Sequence, residues 1–168
     1  KSPIFDDLFY KGNALPNSSV VIRKSILDSV GGISENRLLI AAEDYDLWLR
    51  IAKVTNLFKK INLTLGFYEV ESDNITCPER TIMNNLCLLD LHSDPSKNYI
   101  DRTPVHIIHK LSSSYIKTKD FLSSRKYSLM GLASDASLFL KFKFVCLFLL
   151  SIFYSLKLFA SYRSHLFR

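Results

Sequence analysis

The sequence has few cysteines, and their spacing argues against several kinds of site. Only three occur among 168 residues, Cys77, Cys87 and Cys146, and no two of them form a Cys-x-x-Cys pair. An odd, widely spaced set speaks against both a disulfide framework and a cysteine-ligated metal. We therefore expect reduced thiols and a cytoplasmic protein.

Glycine is also scarce, with five residues, and no glycine lies in a phosphate-binding loop. Gly31-Gly32 is followed by neither Gly-x-Gly-x-x-Gly nor Gly-Lys-Ser/Thr. We interpret the pair as a helix stop, because glycine tolerates the left-handed conformation that ends many helices. His106 and His109 are three residues apart but have no carboxylate at ligand spacing, which favours solvated or core-edge histidines over metal ligands.

Acidic residues are almost missing from the last part of the chain. Residues 1–101 contain 11 Lys and Arg against 14 Asp and Glu, a net charge of −3, whereas residues 102–168 contain 11 against 2, a net charge of +9. A basic, Phe-rich segment suggests anionic lipid or a solvated helical face. Nucleic acid ranks last as a partner, because no recognition motif accompanies the charge.

No uncharged run reaches the roughly 20 residues that a membrane span needs. The longest covers residues 144–156, 13 residues, and Lys141, Lys143 and Lys157 flank it. For the apolar segment 138–162 we expect an interfacial helix on the cytoplasmic face of the membrane, with its lysines reaching the phosphates. A helix packed on the rest of the protein and a spanning helix remain the alternatives.

The chain does contain a marked acidic helix at residues 42–52. Glu43, Asp44 and Asp46 crowd its first turn, before apolar residues that recur at helical spacing. Asp44 shares a side with these apolar residues, so it is a candidate general base that the positive end of the helix keeps ionised. The plainer interpretation is that first-turn acids complement the helix dipole.

Two further residues of this helix have predicted roles. Arg50 lies four residues after Asp46, so the two can form an ion pair. Trp48 could be a platform for a sugar ring, but a tryptophan on an apolar helix face is more often part of the core, and we favour the core.

Several motifs occur in a fixed order around the acidic helix. They are Asn13, Ser18-Ser19-Val20, Arg23-Lys24, Gly31-Gly32-Ile33, Glu43-Asp44-Tyr45-Asp46-Leu47-Trp48-Leu49-Arg50 and Gly66-Phe67-Tyr68. Over about residues 10 to 76 this order resembles the C-terminal half of the catalytic domain of family 2 glycosyltransferases, which have the GT-A fold. The ordered set is a far more specific signal than any one of its members.

The resemblance implies an α/β fold, with a partial, Rossmann-like GT-A domain at residues 1–76 and an α-helical extension at 77–168. It implies transfer of a sugar from a nucleotide-sugar donor to an acceptor hydroxyl, on a glycan or a lipid-linked acceptor, with inversion. Asp44 would be the base, and Glu43, Asp46 and Arg50 would bind or position the acceptor. Polysaccharide biosynthesis is the typical setting.

The same resemblance implies a divalent metal, Mg²⁺ or Mn²⁺, whose ligands belong to a donor-binding half outside these residues. Asp44-Tyr45-Asp46 has the spelling of the metal motif but lies inside a predicted helix, so we do not assign it that role. Because the chain begins at Lys1 without Met, we expect part of a longer enzyme that is inactive alone.

Further elements, and a rival hypothesis, follow from the pattern. We predict strands at 18–22, 57–61 and 63–70. We predict helices at 25–30, 78–91, about 105–112 and 116–132, the last broken near Gly131. Family members often have Tyr-Arg-x-His where this chain has Tyr68-Glu69-Val70-Glu71. That departure favours the rival, a non-catalytic, membrane-apposed remnant or protein-interaction module.

Overall fold

The computed structural model describes residues 3–67 and 77–166, and within these ranges the regular structure is entirely helical. Two single-turn 3₁₀ helices, Asn17–Ser19 and Arg37–Leu39, accompany eight α-helices. The α-helices are α1 (Pro3–Lys11), α2 (Lys24–Ser29), α3 (Glu43–Val54), α4 (Pro78–His92), α5 (Tyr99–Arg102), α6 (Val105–Lys117), α7 (Phe121–Ala133) and α8 (Leu138–Leu166).

The predicted α/β, partial GT-A fold is therefore wrong for the described part of the chain, which contains no β-strand. The segment predicted as a strand at 18–22 begins in a 3₁₀ turn and continues without regular structure. Residues 55–67 have no helix or strand. Val21 is 99% exposed and Leu57 is 92% exposed. A strand is stable only beside a partner strand, and no described segment pairs with these two. Residues 68–70 of the third predicted strand lie outside the described ranges.

The chain divides into two compact units, Lys1–Cys77 and Pro78–Arg168, called here the N-terminal and C-terminal units. This division reflects how densely each part of the chain packs on itself, and it assigns no function to either unit. The assignment of residues 1–76 to a catalytic domain stays a prediction.

The core of the N-terminal unit forms where α1 packs on α3. The rings of Phe5 and Phe9 stack with centroids 5.5 Å apart, and both side chains are fully buried. From α3, Leu47, Trp48 and Leu49 enter the same core. Acids in the first turn and Lys53 in the last complement the helix dipole, which together with this burial accounts for a stable α3.

The C-terminal unit is an array of helices in which α6 contacts α4, α7 and α8. Serines line the contact of α6 with α7: the Ser112 hydroxyl lies 2.7 Å from that of Ser128, and the Ser124 hydroxyl donates to the Ser112 carbonyl at 2.9 Å. All three are fully buried. Small side chains let the two backbones approach, and their hydroxyls are satisfied at the contact.

One predicted boundary in this unit is also wrong. The helices expected at about 105–112 and at 116–132 are α6 and α7, but the boundary between them lies later than predicted. Helix α6 continues to Lys117, and α7 begins after Asp120, whose carboxylate caps it by accepting from Ser123 N–H at 3.0 Å. Gly131 does not break α7. It lies inside the helix, where an added Cβ would overlap the ring of Phe144 on α8.

Candidate functional site

Asp44 lies in the first turn of α3, half-buried, directly after the N-cap residue Ala42 and Glu43. Ala42 contributes no side-chain cap, so the free amide groups of this turn depend on other acceptors. The Tyr45 backbone N–H donates to Asp44 Oδ1 at 2.6 Å. The carboxylate is thus fixed at the helix start while keeping part of its surface open.

Burial raises the pKa of Asp44 above its ordinary value of 3.8. The hydrogen bond from the Tyr45 amide acts in the opposite direction, and the nearby charge of Glu43 raises the pKa further. The sequence predicts that the helix N-terminus favours ionisation, and the amide bond does so, but desolvation is the larger effect. A carboxylate with a raised pKa accepts a proton more readily once it is ionised, which suits a general base.

Glu43 lies beside Asp44 and is also half-buried. Its Oε2 atom is enclosed and accepts no hydrogen bond from the residues that the structure describes. An enclosed carboxylate oxygen without a donor is costly, and such oxygens are usually satisfied by water or a bound group.

Asp46 and Arg50 form the predicted ion pair, with Arg50 Nε 2.8 Å from Asp46 Oδ2. Asp46 is 2% exposed. Arg50 Nη1 also donates to the Val30 carbonyl at 2.5 Å, just before Gly31 and Gly32, whose φ angles are +80° and +74°. The ion pair therefore ties the glycine turn to the acidic helix. Because Asp46 is buried and paired with Arg50, we expect it to hold the first turns of α3 in place. Its predicted role in binding the acceptor stays a prediction.

Trp48 belongs to the core, as predicted, with 2% of its surface exposed. Its indole Nε1–H donates to the Leu15 carbonyl at 3.2 Å. The Leu15 N–H in turn donates to the Asn13 side chain at 2.9 Å. Asn13 and the acidic helix, distant in sequence, are thus linked through one buried ring, which offers no face to a sugar.

Two features of the site escape the sequence analysis. The Tyr45 hydroxyl donates to the Leu8 carbonyl at 2.6 Å, which fastens the first turn of α3 to α1, and burial raises the pKa of this tyrosine. Ala41, just before the helix, has a φ of +68°, a region that few non-glycine residues adopt. The alternation of apolar and charged types gives no signal for either feature.

The described residues contain no group of three or more His, Cys, Asp or Glu side chains placed to hold a metal ion. Asp44 and Asp46 do not converge as a pair, since Asp46 is engaged by Arg50. On α6, His109 contacts the Phe144 ring edge-on with centroids 5.9 Å apart, and burial together with the charge of Lys143 lowers its pKa. Glu69 and Glu71 lie outside the described residues.

Comparison of the chain with protein-family models, with curated proteins and with solved structures gives no match. The arrangement itself combines a half-open carboxylate of raised pKa, an enclosed acidic neighbour and a buried brace to a glycine turn. Chemically, such a group can accept a proton from a weakly acidic donor such as a hydroxyl.

Proposed function

We propose that this chain supplies the acceptor side of an inverting glycosyltransferase, with Asp44 as the general base. The observation that carries the proposal is the half-buried Asp44 carboxylate of raised pKa at the start of α3. The resemblance of the ordered motifs to family 2 enzymes supports the same residue as the base.

In this reaction Asp44 removes the proton of the acceptor hydroxyl while that oxygen attacks the anomeric carbon of the donor sugar. The new glycosidic bond forms as the bond from the anomeric carbon to the diphosphate oxygen breaks, and the nucleoside diphosphate leaves with the electron pair. The proton remains on Asp44 until solvent accepts it. Base assistance is needed because a neutral alcohol is a poor nucleophile.

The neighbours of Asp44 have separate tasks in this proposal. Glu43, half-buried beside Asp44, helps to hold the acceptor or the start of α3. Asp46 and Arg50 hold the first turns of α3 against Val30 and so keep the Asp44 carboxylate in place. Fixing a base to within a fraction of an ångström is what such supporting contacts contribute.

The resemblance implies Mg²⁺ or Mn²⁺, but the described residues contain no group of three or more His, Cys, Asp or Glu side chains that could hold such an ion. Donor binding belongs to residues beyond those that form this site.

The test is sugar transfer by the protein that contains this chain, measured with radiolabelled UDP- and GDP-sugars on membranes from the producing cells. Asp44→Asn should lower kcat by about 10²- to 10⁴-fold, the usual contribution of a general base, with KM little changed. Asp28→Asn is the matched control, since Asp28 is an exposed acid of the same unit, and it should keep full activity.

Full turnover by Asp44→Asn would show that the base lies elsewhere. The all-α structure of the described residues favours a second candidate, a non-catalytic, membrane-apposed module. Absence of any nucleotide-sugar consumption by the folded, unsubstituted protein would support that candidate instead.

A further inference from the structure

The outer face of α8 is a long apolar surface. Within this 29-residue helix, Leu138–Phe159 is long and apolar enough to cross a membrane, and only 11% of its most apolar part is buried in the structure. At about 1.5 Å per residue these 22 residues measure about 33 Å. A single helix of this kind also occurs in soluble cores, but there it is mostly buried.

The two sides of α8 have different surroundings. Phe144 and Ser151, seven residues apart, are fully buried against the rest of the C-terminal unit. On the opposite side Phe142, Leu149 and Phe153 are 65%, 57% and 60% exposed, and their spacing of seven and four residues aligns them in one stripe. We call these three residues and Leu156, which is also exposed, the outward stripe.

Positive charge brackets the outward stripe. Lys143 and Lys157 are both exposed and lie 14 residues apart along the helix, about 21 Å. The sequence of α8 contains no Asp or Glu. An apolar stripe with lysines at its two ends is complementary to acyl chains and anionic phosphates, since lysines extend toward headgroups while their stems stay apolar.

The packing of α7 on α8 restricts the orientation that α8 can adopt in a bilayer. Helix α7 runs antiparallel along the uncharged stretch of α8, because Gly131 meets Phe144 at one end and the rings of Phe121 and Tyr154 stack at 6.4 Å near the other. If α8 spanned the membrane with this packing kept, Arg125 and Lys126 in the middle of α7 would enter the hydrocarbon core. Charged side chains there are strongly disfavoured.

We propose that α8 docks the C-terminal unit on an anionic bilayer, lying in the plane of the interface with the outward stripe among the acyl chains. In this orientation α7 stays on the aqueous side, and Lys143 and Lys157 reach the phosphates. The outward stripe does not include Asp44 or its neighbours, so membrane docking and glycosyl transfer can be tested separately.

Flotation of the full chain with lipid vesicles tests the docking. Binding should be strong on vesicles of equal phosphatidylglycerol and phosphatidylcholine, and about 30-fold weaker for the pair Lys143→Gln and Lys157→Gln, since each lysine near an anionic surface contributes about fivefold. Leu149→Gln combined with Phe153→Gln should abolish flotation. Leu57→Gln, which changes an even more exposed leucine in the N-terminal unit, should leave it unchanged.

The depth of single residues of α8 in the bilayer distinguishes a helix that lies in the interface from a helix that spans the membrane. Tryptophan placed at Phe142, Leu149 or Phe153 should be quenched to the same extent by lipids brominated near the headgroup, because an in-plane helix keeps all three at one depth. A gradient, with position 149 deepest, would overturn the in-plane arrangement. Trp48 is buried in the other unit and adds only a constant background.

Two other outcomes would overturn the proposal. The first is failure of the folded, unsubstituted chain to float with anionic vesicles. The second is a soluble dimer that Leu149→Gln and Phe153→Gln dissociate while lipid binding is absent, because the outward stripe would then pair two copies of the chain.

Discussion

At the scale of single residues, the carboxylate of Asp44 is subject to opposing effects. The amide of Tyr45 favours its ionised form, whereas burial and the charge of Glu43 favour the protonated form, and burial has the largest effect. The N-terminal unit therefore holds a carboxylate in a position that costs it stability at neutral pH. Groups that cost stability are commonly found at functional sites.

Asp44→Asn should stabilise the N-terminal unit at pH 7. Because the folded-state pKa of Asp44 is raised, the wild-type protein loses stability as pH rises from the ordinary value of 3.8 through the folded pKa, and the substitution removes that loss. The gain should vanish at pH 3, where both states of the wild-type protein are protonated. Urea unfolding followed by the fluorescence of Trp48, the only tryptophan, reports this unit.

The control for that measurement is Asp28→Asn, a change at an exposed site expected to alter stability by no more than about 0.5 kcal/mol. A loss of stability in Asp44→Asn at pH 7 would mean that the bond from the Tyr45 amide outweighs burial.

Asp46→Ala should destabilise the N-terminal unit by about 2 kcal/mol or more. The substitution leaves the partly enclosed Arg50 guanidinium without its carboxylate, and a charge-assisted hydrogen bond contributes about 1.5–3 kcal/mol. Asp7→Ala breaks the exposed Asp7–Lys11 pair of the same spacing and should cost at most about 0.5 kcal/mol. Equal costs in urea unfolding would contradict the bracing role of Asp46.

At the scale of elements, the sequence predicts helices better than strands. The acidic helix and the helix at 78–91 correspond to α3 and α4, because helical hydrogen bonds are local and the apolar spacing is visible in the sequence. The predicted strands fail because their pairing is not local: Leu63 and Leu65 alternate with polar residues, yet both are exposed on an unpaired segment. Alternation describes a strand only where a partner exists.

Capping and packing explain the error at α7. The cap at Asp120 and the left-handed φ of +64° at Lys119 separate α6 from α7. From the sequence, Gly131 is a second candidate for the position at which a helix breaks. Gly131 is instead required for close packing, since only a missing Cβ leaves room for Phe144.

Gly131→Ala should therefore destabilise the C-terminal unit by about 1–3 kcal/mol, the usual cost of overpacking, despite the higher helix propensity of alanine. Thermal unfolding followed by far-ultraviolet circular dichroism measures the change. In the background of Phe144→Leu the same substitution should be neutral or stabilising, because the ring it meets is gone. A cost that is the same in both backgrounds would contradict the contact.

At the scale of the whole molecule, two units with different chemistry share one chain. The N-terminal unit contains 9 Lys and Arg against 10 Asp and Glu, a net charge of −1, and includes the candidate base. The C-terminal unit contains 13 against 6, a net charge of +7, and includes the outward stripe. The charge asymmetry and the acidic cluster are visible in the sequence. The tie from Arg50 to Val30 and the bond from Tyr45 to Leu8 are not, because they join backbone carbonyls that any residue could supply.

The molecule thus combines a proposed acceptor site in one unit with a proposed lipid-docking surface in the other. Each can fail alone: loss of flotation would leave the chemistry of Asp44 untouched, and an inactive protein could still bind vesicles.

The pH dependence of sugar transfer reports whether Asp44 is the base. If Asp44 is the base, kcat/KM of the unsubstituted protein rises with pH through an acid limb whose midpoint lies above 3.8, because the ionised carboxylate of the free enzyme is the active form. Asp44→Asn should lower kcat by about 10²- to 10⁴-fold and remove that limb. An unchanged acid limb with full turnover in Asp44→Asn would contradict the assignment.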